Sequence, residues 1–221
     1  MIRAICFDFD GTLAHFTGDF DTLLGEGFAK LGLDDEHRDA LLTEYERQLR
    51  KEGAVTSLGA LVEALERLNL HAEVDLEKVN GAFVRMYCEQ MKPLPGAQEV
   101  LAFCKARVPL ALVTNGPADM QRAALQEVGM AKQFQTIAIS GAQEVGVRKP
   151  NARIFELACE RLGVLPQEVL MVGDNLGADV QGALKAGLQA VYVGTEKVVG
   201  AGRVTDLFAL RAWLEPRLNQ A

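Results

Sequence analysis

Short runs of hydrophobic residues recur along the chain and predict buried strands. Each run is about four to six residues long, contains β-branched residues and ends near Gly, Asp, Asn or Ser. Runs that are hydrophobic throughout, without alternation, are typical of parallel strands covered on both faces. The five predicted strands cover residues 2–7, 108–113, 136–139, 169–172 and 190–193.

Helical patterns separate the later strands. Gly116-Pro117 begins one helix, which carries hydrophobic residues at positions 120, 124 and 128 on one face. Asn151 caps a second helix, residues 176–187 form a third, and residues 205–213 form a last helix with Trp213 in the core. This alternation predicts an α/β fold, a doubly wound parallel sheet with helices on both faces.

The stretch from about residue 16 to residue 91 has a different pattern. It contains no strand candidate, and its hydrophobic residues are spaced as in four amphipathic helices. The sequence Pro93-Leu94-Pro95-Gly96 then marks a sharp boundary. We therefore predict a helical domain at residues 16–91, inserted into an α/β core that consists of residues 1–15 and 92–221.

The composition narrows the classes of partner. The 221 residues are 49% hydrophobic and 24% charged, with a formal net charge of −7. An acidic protein repels nucleic acid and anionic lipid, so we expect neither as a partner. The four cysteines lack C-x-x-C or zinc-site spacing. The first hydrophobic run is too short for a signal peptide or a membrane span, and we predict a cytoplasmic protein.

Polar residues follow the predicted strands where each one ends. Asp8 and Asp10 follow the first strand, Thr114-Asn115-Gly116 the second and Asp174 the fourth, while Lys149 lies on the loop after the third. Ligands of open parallel sheets bind at this edge. Three carboxylates brought together repel one another, and Mg²⁺ is a cation that would neutralise them. With Lys149 added, the site can accept a phosphate dianion although the protein is acidic.

The two aspartates after the first strand can divide the chemistry of phosphate transfer. Asp8 would attack phosphorus and form an aspartyl-phosphate. Asp10 would protonate the leaving oxygen and then deprotonate the water that hydrolyses the intermediate. The Thr114 hydroxyl and the amides of Asn115 and Gly116 would bind the phosphate oxygens at a helix N-terminus.

Four motifs resemble, in order, those of the haloacid dehalogenase-like superfamily of phosphohydrolases. The first is Asp8-Phe9-Asp10-Gly11-Thr12-Leu13, and the second is Val113-Thr114-Asn115-Gly116. The third is Gly146-Val147-Arg148-Lys149-Pro150, followed by Ile154-Phe155. The fourth is Gly173-Asp174-Asn175-Leu176-Gly177-Ala178-Asp179, in the form G-D-x-x-x-x-D. The helical insert resembles the cap of subfamily I, which closes over the site.

The resemblance implies a Rossmann-like core, an α-helical cap and a magnesium-dependent phosphatase of a small phosphorylated metabolite. By this resemblance Asp8 is the nucleophile and Asp10 the acid and base. Mg²⁺ is held by the Asp8 side chain, the Asp10 backbone carbonyl and Asp174. Asp179 orients a metal-bound water or Lys149. The sequence departs from some members at Asn175, where they carry a second acid.

Three alternatives stay open at this point. A phosphomutase shares all four motifs. A haloacid dehalogenase also uses an aspartate nucleophile, but dehalogenases of the family lack the second aspartate and the metal, so Asp10 argues against this activity. A phosphoacceptor signalling domain uses similar groups in a different order and has no helical insert. The substrate, the oligomeric state and the roles of His15 and Asn175 are not given by the sequence.

Overall fold

The computed structural model describes residues 1–218 and contains a central parallel sheet. Six strands form this sheet in the order β5-β4-β1-β6-β7-β8, and a separate antiparallel pair joins β2 to β3. In chain order the strands are β1 (Ala4–Phe7), β2 (Ala14–Phe16), β3 (Met91–Pro93), β4 (Leu110–Thr114), β5 (Thr136–Ile139), β6 (Val169–Gly173), β7 (Gln189–Val193) and β8 (Gly202–Val204).

Helices cover both faces of the sheet, as the sequence predicts. Ile5 and Phe7 of β1 pack into one hydrophobic cluster, while Ala4 and Cys6 pack into another on the opposite face. The helices are α1 (Phe20–Phe28), α2 (Asp35–Leu49), α3 (Ser57–Arg67), α4 (Leu76–Glu89), α5 (Ala97–Lys105), α6 (Ala118–Glu127), α7 (Ala152–Leu162), α8 (Gly182–Lys185) and α9 (Leu207–Leu218). Residues of α5, α6 and α9 belong to the first cluster, and residues of α7 and α8 to the second.

Strand β1 marks the position where the chain direction across the sheet reverses. It lies between β4 and β6, and the chain adds β5 beyond β4 before it crosses to β6 and β7. In doubly wound sheets the crevice for a ligand lies at this switch point, beyond the carboxyl ends of the strands. Asp8 follows β1, Thr114 ends β4, and Asp174 follows β6. The topology therefore brings these three positions to one edge.

Helices α1 to α4 form a bundle between β2 and β3, which we call the helical module. Its interior is aromatic: the ring of Phe28 lies 4.9 Å from that of Tyr45 and 5.3 Å from that of Phe83. The four predicted helices are thus present. The division into separate domains at residues 16–91, against residues 1–15 and 92–221, stays a prediction, and residues 219–221 of that range lie outside the described residues.

The structure differs from the predicted elements at three short strands. β2, β3 and β8 have three residues each, too few to produce a hydrophobic period in the sequence. No strand is predicted around Gly202, but this residue begins β8, which pairs with β7. Trp213, expected in the core, is half-buried in α9.

The helix predicted at residues 176–187 is also irregular. Residues Leu176–Gln181 form a π-helical segment, and only α8 is regular. The carbonyl oxygen of Asn175 accepts hydrogen bonds from the amides of both Asp179 and Val180, at 2.9 and 3.2 Å, which widens the first turn. Among the helices of residues 1–218, none is long and apolar enough to cross a membrane.

Candidate active site

The ammonium group of Lys149 lies at the centre of the site, buried between two carboxylates. It donates hydrogen bonds to Asp8 Oδ1 at 2.6 Å, to Asp179 Oδ1 at 2.7 Å and to the Val113 carbonyl at 2.8 Å. The Lys149 side chain is 2% exposed and that of Asp179 is 1% exposed. These three bonds use all the donors of the ammonium and join the ends of β1 and β4 to the helical segment that follows β6.

Asp174 approaches the same centre through the turn that follows β1. The Thr12 hydroxyl donates to Asp174 Oδ1 at 2.8 Å and lies 3.5 Å from Asp8 Oδ2. Gly11 has a φ of 82°, and a Cβ at this position would lie 2.3 Å from Asp174 Oδ2. Only glycine leaves space for the carboxylate here, so the turn and Asp174 are fitted to each other.

Asp10 is held separately from the other carboxylates. Its Oδ2 accepts a hydrogen bond from Gln121 Nε2 of α6 at 2.7 Å. Its Oδ1 lies 3.5 Å from the Tyr87 hydroxyl, which comes from α4 of the helical module. The two carboxyl oxygens of Asp10 thus face different elements.

The residues at the end of β4 are hydrogen-bonded to neighbouring elements of the core. The Thr114 hydroxyl donates to Gln121 Oε1 at 3.2 Å. The Asn115 side chain binds the backbone of Lys149 twice, since its Nδ2 donates to the carbonyl at 3.0 Å and its Oδ1 accepts from the amide at 2.8 Å. The Gly116 amide donates to Ser140 Oγ at 3.0 Å. A phosphate-binding role for Asn115 and Gly116 stays a prediction.

Asn175 and Asp179 give the fourth motif its shape. Asn175 Oδ1 accepts hydrogen bonds from the amides of Gly177 and Ala178 at 3.0 and 2.8 Å, so this side chain caps the helical segment. Asp179 Oδ2 accepts from the Asn175 amide at 2.9 Å while its Oδ1 holds Lys149. The departure at Asn175 therefore supplies a cap, and Asp179 contacts the lysine directly.

Three carboxylates form a group that fits a metal ion. One oxygen from each of Asp8, Asp174 and Asp179 lies within 4.8 Å of the others. Hard oxygen donors of this kind suit a divalent cation such as Mg²⁺ or Ca²⁺. The Asp10 side chain belongs to no such group among residues 1–218, which agrees with a role apart from metal binding through its carboxylate.

Burial controls the proton equilibria of the site. Burial raises the pKa of Asp8 to about 8, although the Lys149 ammonium opposes this shift. Burial lowers the pKa of Lys149, but Asp8 and Asp179 outweigh it and the net shift is upward, so the lysine stays charged. One ammonium thus faces several acidic groups, and a divalent cation would supply the missing positive charge.

Asp10 differs from Asp8 because, within residues 1–218, its carboxyl has the neutral partners Gln121 and Tyr87 and no hydrogen bond from a cationic side chain. Burial raises its pKa, and the hydrogen bond from Gln121 opposes the shift. The carboxyl therefore keeps a proton to higher pH than a solvated aspartate does, which suits a group that must donate one.

Two neighbours of Asp10 were not identified from the sequence. Gln121 is buried on α6 and Tyr87 is buried on α4, where the Phe16 ring stacks on it at 5.2 Å. Phe20 contacts both rings edge-on, at 6.1 and 6.4 Å. His15, in contrast, lies exposed on β2. The only sequence signal for Gln121 was a polar residue on a helix face that is otherwise buried.

Comparison with known proteins agrees with the family that the four motifs resemble. A family model described as haloacid dehalogenase-like hydrolase matches residues 2–187. Pyrimidine 5'-nucleotidase YjjG of Escherichia coli (strain K12) is 37% identical over 146 residues, which are 64% of this chain and 62% of that protein. Phosphoserine phosphatase of Thermus thermophilus is 47% identical over 100 residues, 45% of this chain and 39% of that protein. The chain thus spans less than two thirds of the length of these two relatives.

Other similar proteins are matched over nearly their whole length. Glyceraldehyde 3-phosphate phosphatase of Methanothermobacter thermautotrophicus is 30% identical over 213 residues, 89% of this chain and 87% of that protein. A HAD phosphatase structure from Thermococcus onnurineus has a TM-score of 0.74 at 28% identity, over 96% of this chain and 98% of that one. A 2-haloacid dehalogenase from Pseudomonas syringae pv. Tomato DC3000 has a TM-score of 0.73 at 22% identity, over 98% and 100%, and shows the fold alone.

Proposed function

Because the chain belongs to the haloacid dehalogenase-like hydrolase family, we propose that it is a magnesium-dependent phosphatase of a small phosphorylated metabolite. The observation that carries this proposal is the buried ammonium of Lys149, bonded to Asp8 and Asp179 beside the carboxylate group that fits a divalent cation. Such a site can accept a phosphate dianion. The names of the relatives, which describe phosphatases of small esters, support the same reading.

In the first half of the reaction Asp8 is the nucleophile. Its Oδ1 is bonded to Lys149, so Oδ2 is the oxygen that attacks phosphorus. As this bond forms, the bond from phosphorus to the ester oxygen breaks, and its electron pair goes to the leaving oxygen. Asp10 gives that oxygen a proton, so the alcohol leaves neutral and Asp8 carries the phosphoryl group.

In the second half water hydrolyses the aspartyl-phosphate. Asp10, now ionised, takes a proton from the water as its oxygen attacks phosphorus. The bond from phosphorus to Asp8 breaks, and its electron pair returns to the carboxylate. Inorganic phosphate leaves, and both aspartates are restored to their starting states.

The proposed metal ligands are the side chains of Asp8 and Asp174 with the backbone carbonyl of Asp10. Mg²⁺ held there would neutralise charge on the transferring phosphoryl group. Asp179 fits the task of holding Lys149, which it contacts at 2.7 Å. The amides of Asn115 and Gly116 are proposed to bind phosphate oxygens, while the Thr114 hydroxyl, which donates its one proton to Gln121 Oε1, is proposed to hold the Gln121 side chain in place.

The helical module is proposed to act as a cap over the leaving group. The Tyr87 hydroxyl of this module lies 3.5 Å from Asp10 Oδ1, and the Phe16 ring is stacked on the Tyr87 ring. Closure of such a cap would exclude water while phosphorus is attacked. The proposal places the enzyme in the cytoplasm, with support from the four cysteines, which are all buried free thiols.

A panel of phosphate esters tests the proposal. It contains p-nitrophenyl phosphate, a sugar phosphate, a nucleoside 5'-monophosphate, phosphoglycolate and phosphoserine, each with Mg²⁺ and with excess chelator. We expect turnover of at least one ester that requires the metal, and a loss of about 10⁴-fold or more in Asp8→Asn. Undiminished activity in Asp8→Asn, or after chelation, would contradict the proposal.

A halogenated acid in the same panel tests the alternative activity. Chloride release from 2-chloropropionate, independent of metal, would favour a dehalogenase. Asp10 and the carboxylate group that fits a divalent cation argue against chloride release, since both are proposed to serve phosphate transfer.

A further inference from the structure

Gln121 links two residues of the site that come from the ends of different strands. Its Nε2 donates to Asp10 Oδ2 at 2.7 Å, and its Oε1 accepts from the Thr114 hydroxyl at 3.2 Å. The side chain is buried and comes from α6, while Asp10 follows β1 and Thr114 ends β4. A single amide therefore fixes the position of a carboxyl group relative to the hydroxyl next to it.

We infer that Gln121 is a positioning residue, which holds the Asp10 carboxyl so that Oδ1 is the oxygen that exchanges the proton with the leaving group. This inference rests on the proposed function, because it assigns a task within that reaction. Gln121 acts through Asp10 and contacts neither phosphorus nor the leaving oxygen.

The chemistry of the amide decides which carboxyl oxygen carries the proton. An amide N–H can only donate, so Oδ2 accepts from it, and the carbonyl oxygen of a protonated carboxyl is a better acceptor than its hydroxyl oxygen, which favours the proton on Oδ1. The Thr114 hydroxyl, which donates to Oε1, keeps the amide in this orientation. The proton is thereby assigned to Oδ1.

The surroundings of Oδ1 fit this assignment. Its neighbour is the Tyr87 hydroxyl at 3.5 Å, a distance at which a hydrogen bond is weak. Oδ1 is therefore held loosely, while Oδ2 is bound by a short bond. A leaving oxygen that takes the proton would approach on the side of Tyr87, between the sheet edge and the helical module.

The lack of a side chain at Gly116 leaves space for the Gln121 amide. A Cβ at Gly116 would lie 2.8 Å from Gln121 Nε2 and 2.9 Å from its Cγ. Any side chain at this position would push the amide away from Asp10. The glycine of the second motif thus makes space for the link, in addition to any contact that its own amide makes.

The leaving group of the substrate provides the test. An alkyl alcohol needs a proton as it departs, whereas p-nitrophenolate is stable without one. The experiment compares kcat/KM for p-nitrophenyl phosphate with kcat/KM for the best alkyl phosphate of the panel. The parameter kcat/KM is chosen because it reports the first chemical step. Gln121→Met keeps the length of the side chain and removes the N–H.

We expect Gln121→Met to lower kcat/KM for the alkyl phosphate by about 10- to 100-fold and for p-nitrophenyl phosphate by less than about threefold. Gln126→Met, an exposed glutamine on the same helix, should change neither. Gln121→Leu also removes the donor and should show the same split, which provides a second variant if Gln121→Met folds poorly. Circular dichroism and the melting temperature establish that each variant is folded.

Two results would overturn the inference. Equal losses for both esters would show that Gln121 supports the structure in general, and unchanged kcat/KM for the alkyl phosphate would show that Asp10 needs no positioning by it. Failure of the natural chain to hydrolyse any ester would instead contradict the proposed function itself, and is distinguished by the panel before any variant is made.

Discussion

The carboxyl edge of the sheet and the interior of the helical module are both buried, but they are built from different interactions. At the sheet edge, Lys149 makes three hydrogen bonds of 2.6 to 2.8 Å, and two of its partners are carboxylates. Inside the module, the packing of Phe28, Tyr45 and Phe83 is edge-to-face or tilted, at 4.9 to 5.9 Å.

The difference shows how strictly each region constrains its residues. A buried charge is costly unless a partner meets it with the right geometry, so few residue types are acceptable at Asp8, Lys149 or Asp179. A hydrophobic interior accepts many residues of similar volume. The sheet edge is therefore recognisable as motifs, and the module only as an amphipathic pattern.

Replacement of Lys149 at the sheet edge should cause the largest loss of stability. Lys149→Met leaves Asp8 and Asp179 buried without their cation, and we expect a loss of about 3–5 kcal/mol in the free energy of unfolding. Lys51→Met is the matched control in the module, because its partner Glu63 and the lysine are both partly exposed. That change should cost less than about 1 kcal/mol in urea denaturation. Similar costs for the two variants would refute the comparison.

Truncation of Phe83 should damage the module while it leaves the sheet edge intact. Phe83→Ala removes a fully buried ring and should cost about 3–5 kcal/mol, whereas Phe208→Ala removes one that is 58% exposed and should change stability by about 0.5 kcal/mol or less. Isothermal titration of Mg²⁺ should give the same affinity for the folded Phe83→Ala protein as for the natural chain. A weaker metal site in this variant would show that the two regions are not independent.

Metal binding should stabilise the sheet edge by a moderate amount. A ligand that binds only the folded state at 100 times its dissociation constant adds about 2.7 kcal/mol. We expect Mg²⁺ to raise the melting temperature of the natural chain, and Asp174→Asn to reduce this increase strongly. An equal increase in Asp174→Asn would remove Asp174 from the proposed ligands.

The smallest expected effect lies where the module contacts the core. Ser57, at the start of α3, donates to Asp119 of α6 through its amide at 2.8 and 3.0 Å and through its hydroxyl at 2.6 Å. Ser57→Ala removes only the hydroxyl bond and should cost about 1–2 kcal/mol. Thr43→Ala removes an exposed hydroxyl that bonds within α2 and should cost almost nothing. A cost near zero for Ser57→Ala as well would mean that the backbone bonds suffice.

The sequence was sufficient to predict the parts of the fold that local patterns determine. The five longer strands, the four helices of the module and the meeting of Asp8, Thr114, Lys149 and Asp174 at one edge follow from hydrophobic period and strand ends. The hydrogen bond of Gln121 to Asp10 joins residues 111 positions apart, and depends on where α6 is placed relative to the turn after β1. No local pattern contains that orientation.

The same reason explains the residues whose side chains were assigned incompletely. Asn115 was singled out for its amide, yet its side chain binds the backbone of Lys149 and so ties the second motif to the third. Asn175 caps a helical segment, a task that only the π-helical geometry after it makes visible. β2 and β3 pair across the whole module, so their partnership required the fold itself.

The most direct test of the account is to trap the proposed covalent intermediate. The Asp10→Asn protein is mixed with Mg²⁺ and p-nitrophenyl phosphate, whose leaving group departs without a proton, then quenched in acid and digested, and its peptides are analysed by mass spectrometry. The account predicts phosphate on the peptide that contains Asp8, and on Asp8 alone, with none in the matched Asp8→Asn protein. Phosphate on another residue would contradict the account. Ester hydrolysis by the natural chain with no phosphate detected on Asp8 would contradict it as well.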